Sequence, residues 1–150
     1  RDHCKILCPG GKKFKDWKLW FRYRGKDTGG TRECHAQPVN PKDIEESCSF
    51  ILSVINKEVA VLGSPSRVAL SGYSQGGCIS LSAGLHCGHS IGLVVSQRGM
   101  LMQHTMDAYS KLARGKKKPQ SIVMTAGGED DIYLLSNQLE AKKWLEDRGM

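Results

Sequence analysis

A serine lies among glycines in the run Gly72-Tyr73-Ser74-Gln75-Gly76-Gly77. Apolar stretches flank this run, so we predict a sharp strand-to-helix turn that strains the serine backbone and exposes its hydroxyl as a nucleophile. Glycine is expected at Gly72 and Gly76 because a side chain at either position would collide with the neighbouring strand or helix. The peptide N–H of Gln75 is then placed to donate to an oxyanion. The alternative is an ordinary glycine-rich turn without chemistry.

A serine hydroxyl needs a general base, normally a histidine that a carboxylate orients. With this kind of turn the expected chain order is serine, acid, histidine. Asp130 follows a later apolar strand and fits the acid, with Glu129 and Asp131 as adjacent competitors. No histidine follows Asp130. The five histidines present are therefore weak candidates for the base: His3, His35, His86, His89 and His104.

Apolar periodicity and capping signals predict the elements that position these residues. Asn40-Pro41 suits the start of a helix, and apolar residues then recur every three or four positions as far as Leu62. The other predicted elements are strands over Lys5–Cys8, Arg67–Ser71, Ile91–Ser96 and Ser121–Ala126, a helix from Cys78 that ends near Gly88, and a helix over Leu134–Arg148. The candidate core residues of the last helix are Leu135, Leu139, Trp144 and Leu145.

This alternation of strands and helices predicts an α/β protein with a mainly parallel sheet flanked by helices. In such sheets ligands bind beyond the carboxyl ends of the strands. Both the turn at Ser74 and the loop from Gly127 to Asp131 follow a strand, so both are expected at that edge. The stretch from Gln97 to Lys118 has no clear pattern. It could form an adaptable apolar groove lined by methionines or an amphipathic helix packed on the sheet.

The composition indicates a globular protein of one domain, residues 1–150. Hydrophobic residues make up 39% and charged residues 25%, and no apolar run approaches the roughly 20 residues that span a bilayer. The start resembles no leader peptide, and the six cysteines contain no Cys-x-x-Cys pair, so we expect reduced thiols and a cytoplasmic location. His3, Cys4 and Cys8 could form only a weak metal cluster without a fourth ligand, and no metal is expected.

The net charge is +7, and basic residues outnumber acidic ones most strongly between Arg1 and Glu33. A solvated basic face is the favoured interpretation. Peripheral contact with an anionic membrane surface is the alternative. Nucleic-acid binding is not expected, because the segment contains no recognisable binding module or aromatic stacking platform.

The run from Arg67 to Gly77 resembles the strand and the G-[FY]-S-Q-G-G motif of the acyl-protein thioesterase and carboxylesterase (phospholipase/carboxylesterase) family. Four other stretches are similar to family segments: Lys5–Pro9, the pair Trp20-Phe21, the helix Pro41–Val61, and Ala126–Asp130, which matches H-G-x-x-D. The resemblance implies an α/β-hydrolase fold, hydrolysis of acyl esters or thioesters including S-acylated proteins, and no cofactor. It favours Asp130 over Asp131 as the acid of a catalytic triad.

The sequence departs from the family pattern at several points. Ala126 stands where the motif has His, and Arg22 stands where an Asp follows the Trp-Phe pair. The family's H-G-x-G loop, which supplies a second oxyanion donor, and its histidine after the acid have no counterparts in these 150 residues. We therefore expect a hydrolase sheet truncated at both ends. The strands at Lys5–Cys8 and Val68–Ser71 should either leave a gap or pair directly.

Two functional hypotheses follow. The first is a serine esterase or thioesterase that forms an acyl-enzyme on Ser74, with Asp130 as the acid and Gln75 as an oxyanion donor. The second is a catalytically inactive hydrolase-like protein that serves as a binding or interaction module, favoured by the missing histidine and by Ala126.

Overall fold

Five strands form two sheets in the structure, a computed structural model that describes residues 4–14, 16–23 and 39–150. The strands are β1 Lys12–Phe14, β2 Trp17–Leu19, β3 Ala69–Tyr73, β4 Leu93–Gln97 and β5 Ile122–Thr125. The first two form an antiparallel hairpin, and the other three form a parallel sheet in the order β3-β4-β5. The predicted fold class, a parallel sheet flanked by helices, is confirmed.

Four α-helices accompany the strands: α1 Pro41–Leu62, α2 Gln75–His86, α3 Gln103–Lys111 and α4 Leu135–Glu146. Helix α2 packs on β3 and β4, and α1 packs on α2. The bounds of α1, α2 and α4 agree with those of the predicted helices to within a few residues. Helix α3 lies in the stretch from Gln97 to Lys118, for which no clear pattern was found. No helix in the described ranges is both long and apolar enough to cross a membrane.

Helix α1 begins and ends where the capping signals predict. The side chain of Asn40 accepts a hydrogen bond from the Lys42 N–H at 3.2 Å, and Pro41 fills the first helical position. Gly63 ends the helix with φ at +67°, a left-handed conformation that glycine adopts without steric cost. The buried apolar residues of α1, at helical spacing, are Ile44, Cys48, Ile51 and Ile55.

The strand predicted at Lys5–Cys8 is not formed. Residues 4–10 belong to no strand, and the side chains of Ile6 and Leu7 are 79% and 45% exposed. Among the residues that the structure describes, no strand exchanges backbone hydrogen bonds with this segment, and a strand needs such a partner. The hairpin of β1 and β2, which the sequence did not suggest, follows directly after it.

A groove separates this N-terminal segment from β3. Two cavities of about 470 and 300 Å³, which share several lining residues, lie between residues 4–9 and β3. Among the described residues, no main-chain hydrogen bond joins the two sides. Of the two outcomes expected at this point, the structure therefore has the gap rather than direct pairing.

The stretch after β4 packs into the core instead of lining an open groove. Leu101 and Met102 are buried, and Met100 and Met106 pack against the core from partly buried positions. Helix α3 follows, so the amphipathic helix is the alternative that formed.

The core contacts predicted for α4 are only partly correct. Leu145 is buried and Trp144 packs at the core margin, but Leu135 and Leu139 are 37% and 54% exposed. The buried face of α4 runs through Gln138, Ala141 and Leu145 instead. Leu139 is rotated about 100° from Gln138 around the helix axis, which places it outside that face.

Three basic residues of the N-terminal region form ion pairs with acidic residues of α1. Lys5 Nζ lies 2.7 Å from Glu58 Oε1, Lys12 pairs with Glu46, and Arg22 Nε lies 2.7 Å from Asp43 Oδ2. Asp43 also accepts from the Arg22 backbone N–H at 3.0 Å and from Nη2 at 2.8 Å. Part of the predicted basic face is thus neutralised within the fold.

Candidate active site

Ser74 is the residue between β3 and α2, and its backbone is in an unusual conformation. Its φ is +55° and its ψ −122°, and only one other described residue besides glycine, Arg98, has a positive φ. A left-handed backbone is strained for a residue with a side chain, and such strain is concentrated at functional sites. The Ser74 N–H donates to Gln97 O at 2.8 Å, which fixes the turn against β4. The side chain is partly exposed and makes no hydrogen bond within the described residues.

The glycines around Ser74 differ from the prediction at one position. A Cβ on Gly72 would overlap the carbonyl of Gly76, so the steric reason given for Gly72 holds. A Cβ on Gly76 would meet only the Trp20 Nε1 at 3.5 Å, an ordinary contact, so the collision expected there was wrong. The crowded position is Gly77, whose Cβ would lie 2.8 Å from Ser96 Oγ. Close packing of α2 onto β4 therefore depends on the second glycine of the Gly-Gly pair.

Gln75 is the first residue of α2, and its main chain and side chain have separate roles. The first N–H groups of a helix have no intrahelical acceptor and point out of its N-terminus, so the Gln75 N–H is available beside Ser74. The side-chain Oε1 accepts from Trp20 N–H at 3.1 Å, and Nε2 donates to Phe21 O at 3.1 Å. The amide thus anchors the Trp20-Phe21 backbone next to the turn. The Gln-Gly-Gly motif did not predict these two hydrogen bonds of the Gln75 side chain.

Asp130 lies in the loop after β5, with its side chain only 1% exposed. Oδ1 accepts from the backbone N–H groups of Ile132 and Tyr133, each at 3.0 Å. Oδ2 accepts from Arg98 Nε at 2.9 Å. The hydrogen bond from Arg98 is the main cause that lowers the pKa of Asp130, and the two backbone donors add to it against the opposing effect of burial. Asp130 is therefore held as a carboxylate.

The competitors of Asp130 have different surroundings. Glu129 and Asp131 are both exposed, whereas Asp130 is buried. The Asp130 carboxylate receives two hydrogen bonds from the loop backbone, as a fixed acid requires. The geometry favours Asp130 over its neighbours, in agreement with the motif.

Arg98 joins Asp130 to Tyr73, the residue before Ser74, and no sequence pattern predicted this role beyond its place after a strand. It follows β4 with φ at +48°, and its N–H donates to Thr125 O at 2.8 Å. Besides the Asp130 contact, Nη1 donates to Tyr73 OH at 3.1 Å. The guanidinium thus extends along the carboxyl edge of the sheet from Asp130 to the residue before Ser74.

The described histidines do not contact Ser74 or Asp130. His86 ends α2, at the end opposite Ser74, and its Nδ1 lies 2.8 Å from Ser82 O. The carbonyl of His89 accepts from Gln120, and His104 Nε2 lies 3.3 Å from Glu45 Oε1. His3 and His35 lie outside the described residues.

The cysteines form no metal site in the described part of the chain, where no cluster of three or more His, Cys, Asp or Glu side chains could hold an ion. Cys4 and Cys8 are exposed free thiols, and His3 lies outside the described residues. Burial raises the pKa of Cys48 to about 12 and that of Cys78 to about 11, so both are protonated at neutral pH. These two thiols act as core residues.

Known proteins resemble this chain in sequence and in fold. Residues 20–148 match the family described as Phospholipase/Carboxylesterase. The chain belongs to this family. The match includes the turn at Ser74, the loop at Asp130 and the Trp20-Phe21 pair, which are the parts that the sequence motifs singled out.

Three proteins illustrate the extent of the similarity. The chain is 27% identical over 113 residues to acyl-protein thioesterase 1 of Gibberella zeae, covering 75% of this chain and 47% of that protein. The crystal structure of Arabidopsis thaliana SOBER1 superposes with a TM-score of 0.71 at 21% identity, over 89% of this chain and 60% of the other. The structure of esterase PE8 superposes with a TM-score of 0.67 at 16% identity, over 87% and 56%. These structures share the fold, and the chain spans about half the length of the curated relative.

Proposed function

We propose that Ser74 is the nucleophile of a serine hydrolase that cleaves carboxylic ester or thioester bonds. The observation that carries the proposal is the strained backbone of Ser74 at the start of α2, in a member of the phospholipase/carboxylesterase family. Asp130, a buried carboxylate at the same sheet edge, is proposed as the acid. The histidine base is proposed to come from outside these 150 residues, because no described histidine contacts either residue.

In the proposed mechanism the Ser74 hydroxyl oxygen attacks the acyl carbonyl carbon while its proton passes to the histidine. The Gln75 N–H donates to the oxyanion that forms on the carbonyl oxygen. The leaving alcohol or thiol takes the proton from the histidine, and the acyl group remains on Ser74. Water then attacks the acyl-enzyme by the same route and releases the carboxylic acid. Asp130 orients the histidine and stabilises its charged form.

The substrate class proposed for the site is an acyl ester or an S-acylated protein, including palmitoylated proteins. The support is the similarity to an acyl-protein thioesterase in Gibberella zeae. A cytoplasmic location and peripheral contact with an anionic membrane surface belong to the same proposal. The membrane contact rests on the basic N-terminal region, where Lys13 and Lys18 are exposed.

A fluorophosphonate probe, which reacts with activated serines, tests the proposal on the natural protein that contains this chain. We expect covalent labelling of the unmodified protein and loss of at least about 99% of it in Ser74→Ala, since no other residue would supply the nucleophile. Ser71→Ala is the matched control, because Ser71 is an exposed serine of the adjacent strand. Labelling that is equal in wild type and Ser74→Ala would refute the assignment.

A second candidate function is a catalytically inactive hydrolase-like binding module. The observation that favours it is the ion pair of Arg98 with Asp130, which occupies the carboxylate proposed to orient a base. Hydrolysis of a short-chain p-nitrophenyl ester by the 150-residue chain decides against it if Ser74→Ala abolishes the turnover. Absence of turnover by the natural protein, together with absence of probe labelling, would favour the binding module.

A further inference from the structure

The proposed mechanism gives no role to Arg98. The backbone of Arg98 is nevertheless held in a conformation that is unfavourable for a residue with a side chain. Its φ of +48° lies in the left-handed region, where a side chain causes strain and glycine is preferred. Such conformations persist only where the surrounding structure enforces them, and they are concentrated at functional sites. The Arg98 N–H bond to Thr125 O and the neighbouring Ser74–Gln97 bond hold this turn between β3 and β5.

The contacts of Asp130 leave little room for another partner. One oxygen, Oδ1, accepts from two backbone N–H groups of its own loop. The other oxygen, Oδ2, accepts from Arg98 Nε at 2.9 Å. With the Asp130 side chain only 1% exposed, the half-exposed Arg98 side chain lies between this carboxylate and solvent. Tyr73 holds the other side of the guanidinium through Nη1.

A histidine that acts as a base in a serine hydrolase donates one ring N–H to the acid. At this site the oxygen that is not bound by the loop backbone is already bound by Arg98. We infer that Arg98 is a positioning residue of the site, which holds Asp130 in one orientation and occupies the approach through which an imidazole would reach Oδ2. Oδ2 can accept a second hydrogen bond, but the Asp130 side chain is only 1% exposed, so an imidazole reaches Oδ2 only when the guanidinium moves aside. This inference rests on the proposed function of Ser74 and Asp130.

The first experiment uses imidazole in solution as a replacement base for the 150-residue chain. The fluorophosphonate labelling rate of Ser74 is measured against imidazole concentration in wild type, Arg98→Gln and Arg98→Lys. Arg114→Gln is the matched control, because Arg114 is an exposed arginine in a short helix before β5, at the opposite edge of the sheet. We expect Arg98→Gln to raise the imidazole-dependent rate by about tenfold, a small part of the range that general base catalysis supplies. Arg98→Lys, which keeps the charge, should raise it less, and Arg114→Gln should leave it unchanged.

The second experiment measures binding rather than labelling. The ¹³C resonance of the Asp130 carboxyl carbon, assigned with Asp130→Asn, is followed while imidazole is added. We expect the resonance to move in Arg98→Gln and to stay in place in wild type at the same imidazole concentrations. A structural ion pair without influence on the site would give equal movement in both proteins. Circular dichroism of each variant verifies that the fold is retained.

The outcomes separate this inference from the proposed function. Equal or slower imidazole-dependent labelling of Arg98→Gln overturns the role of Arg98 and leaves Ser74 as the nucleophile. If no variant is labelled at any imidazole concentration, the proposed nucleophile fails for this chain, and the carboxyl resonance alone decides the inference. Equal movement of that resonance in wild type and Arg98→Gln overturns the inference in either case.

Discussion

Two arginine–aspartate pairs in this molecule use the same chemistry for different purposes. Asp43 and Asp130 are both buried, and in each case a hydrogen bond from an arginine is the main cause that lowers the pKa of the carboxyl group. Arg22 contacts both oxygens of Asp43 through its side chain and adds its backbone N–H. Arg98 contacts only one oxygen of Asp130, while the loop backbone binds the other.

The backbone of the two arginines also differs. Arg98 has a positive φ, whereas Arg22 does not. Arg22 joins the segment after the hairpin to the first turn of α1, where an acidic residue is favoured by the helix dipole. The pair of Arg22 and Asp43 is therefore a structural link, in which both carboxylate oxygens accept hydrogen bonds from the arginine. The pair at the sheet edge is held at the expense of local strain, next to the predicted nucleophile.

Asp43→Ala should give the largest loss of stability. The substitution removes the two carboxylate oxygens that accept three hydrogen bonds from Arg22, one of them from its backbone N–H. We expect a decrease of about 2–3 kcal/mol in the free energy of unfolding, below the range for fully buried pairs because the Arg22 guanidinium can be hydrated. Urea denaturation measures it. Glu46→Ala, which removes the exposed pair with Lys12, is the control and should cost less than about 1 kcal/mol. Equal losses for the two variants would contradict this.

The stability of a glycine variant relative to an alanine variant should have opposite signs at Arg98 and Arg22, because only Arg98 has a positive φ. Arg98→Gly and Arg98→Ala both lose the ion pair, but only glycine relieves the left-handed strain, so Arg98→Gly should be more stable than Arg98→Ala by about 1 kcal/mol. At position 22, where φ is not positive, glycine should be less stable than alanine by up to about 1 kcal/mol. Chemical denaturation of the four variants tests this. The same order at both positions would show that the strain at Arg98 has no energetic consequence.

The two arginine–aspartate pairs should differ least in their effect on the pH dependence of stability. Because both aspartates have a lowered pKa in the folded state, their contribution is fully present above the unfolded-state value of about 4 and is lost as the pH falls through the folded pKa. Arg22→Gln removes the main cause of the lowered pKa of Asp43, so the loss of stability between about pH 4 and pH 2 should become smaller than in wild type. Arg98→Gln should change it less, because Asp130 keeps two backbone donors.

Urea denaturation at a series of pH values, with Arg114→Gln as the control, tests this prediction. An identical acid profile in Arg22→Gln and wild type would mean that Arg22 does not lower the pKa of Asp43. A change in Arg98→Gln as large as that in Arg22→Gln would mean that the backbone donors do not compensate at Asp130.

The parts of the fold that could be predicted are those with a local cause. Helix α1 followed from Asn40, Pro41 and Gly63, whose preferences act within a few residues of each end. The strand Lys5–Cys8 was predicted from a short apolar run before a turn and from its resemblance to a family segment, and it was wrong, because a strand needs partners that no local pattern supplies. The exposed Leu135 and Leu139 show the same limit, since helical periodicity does not say which face meets the core.

The sequence by itself determined the turn at Ser74 and the family, because Gly72 and the apolar flanks leave the chain few ways to reverse from β3 into α2. It also indicated Asp130 by its place after a strand. Only the tertiary structure decided what surrounds these residues. The Gln75 amide on Trp20-Phe21 and the Arg98 guanidinium on Asp130 join parts of the chain that are distant in sequence. Such contacts depend on how the sheet brings loops to one edge, which short-range preferences do not encode.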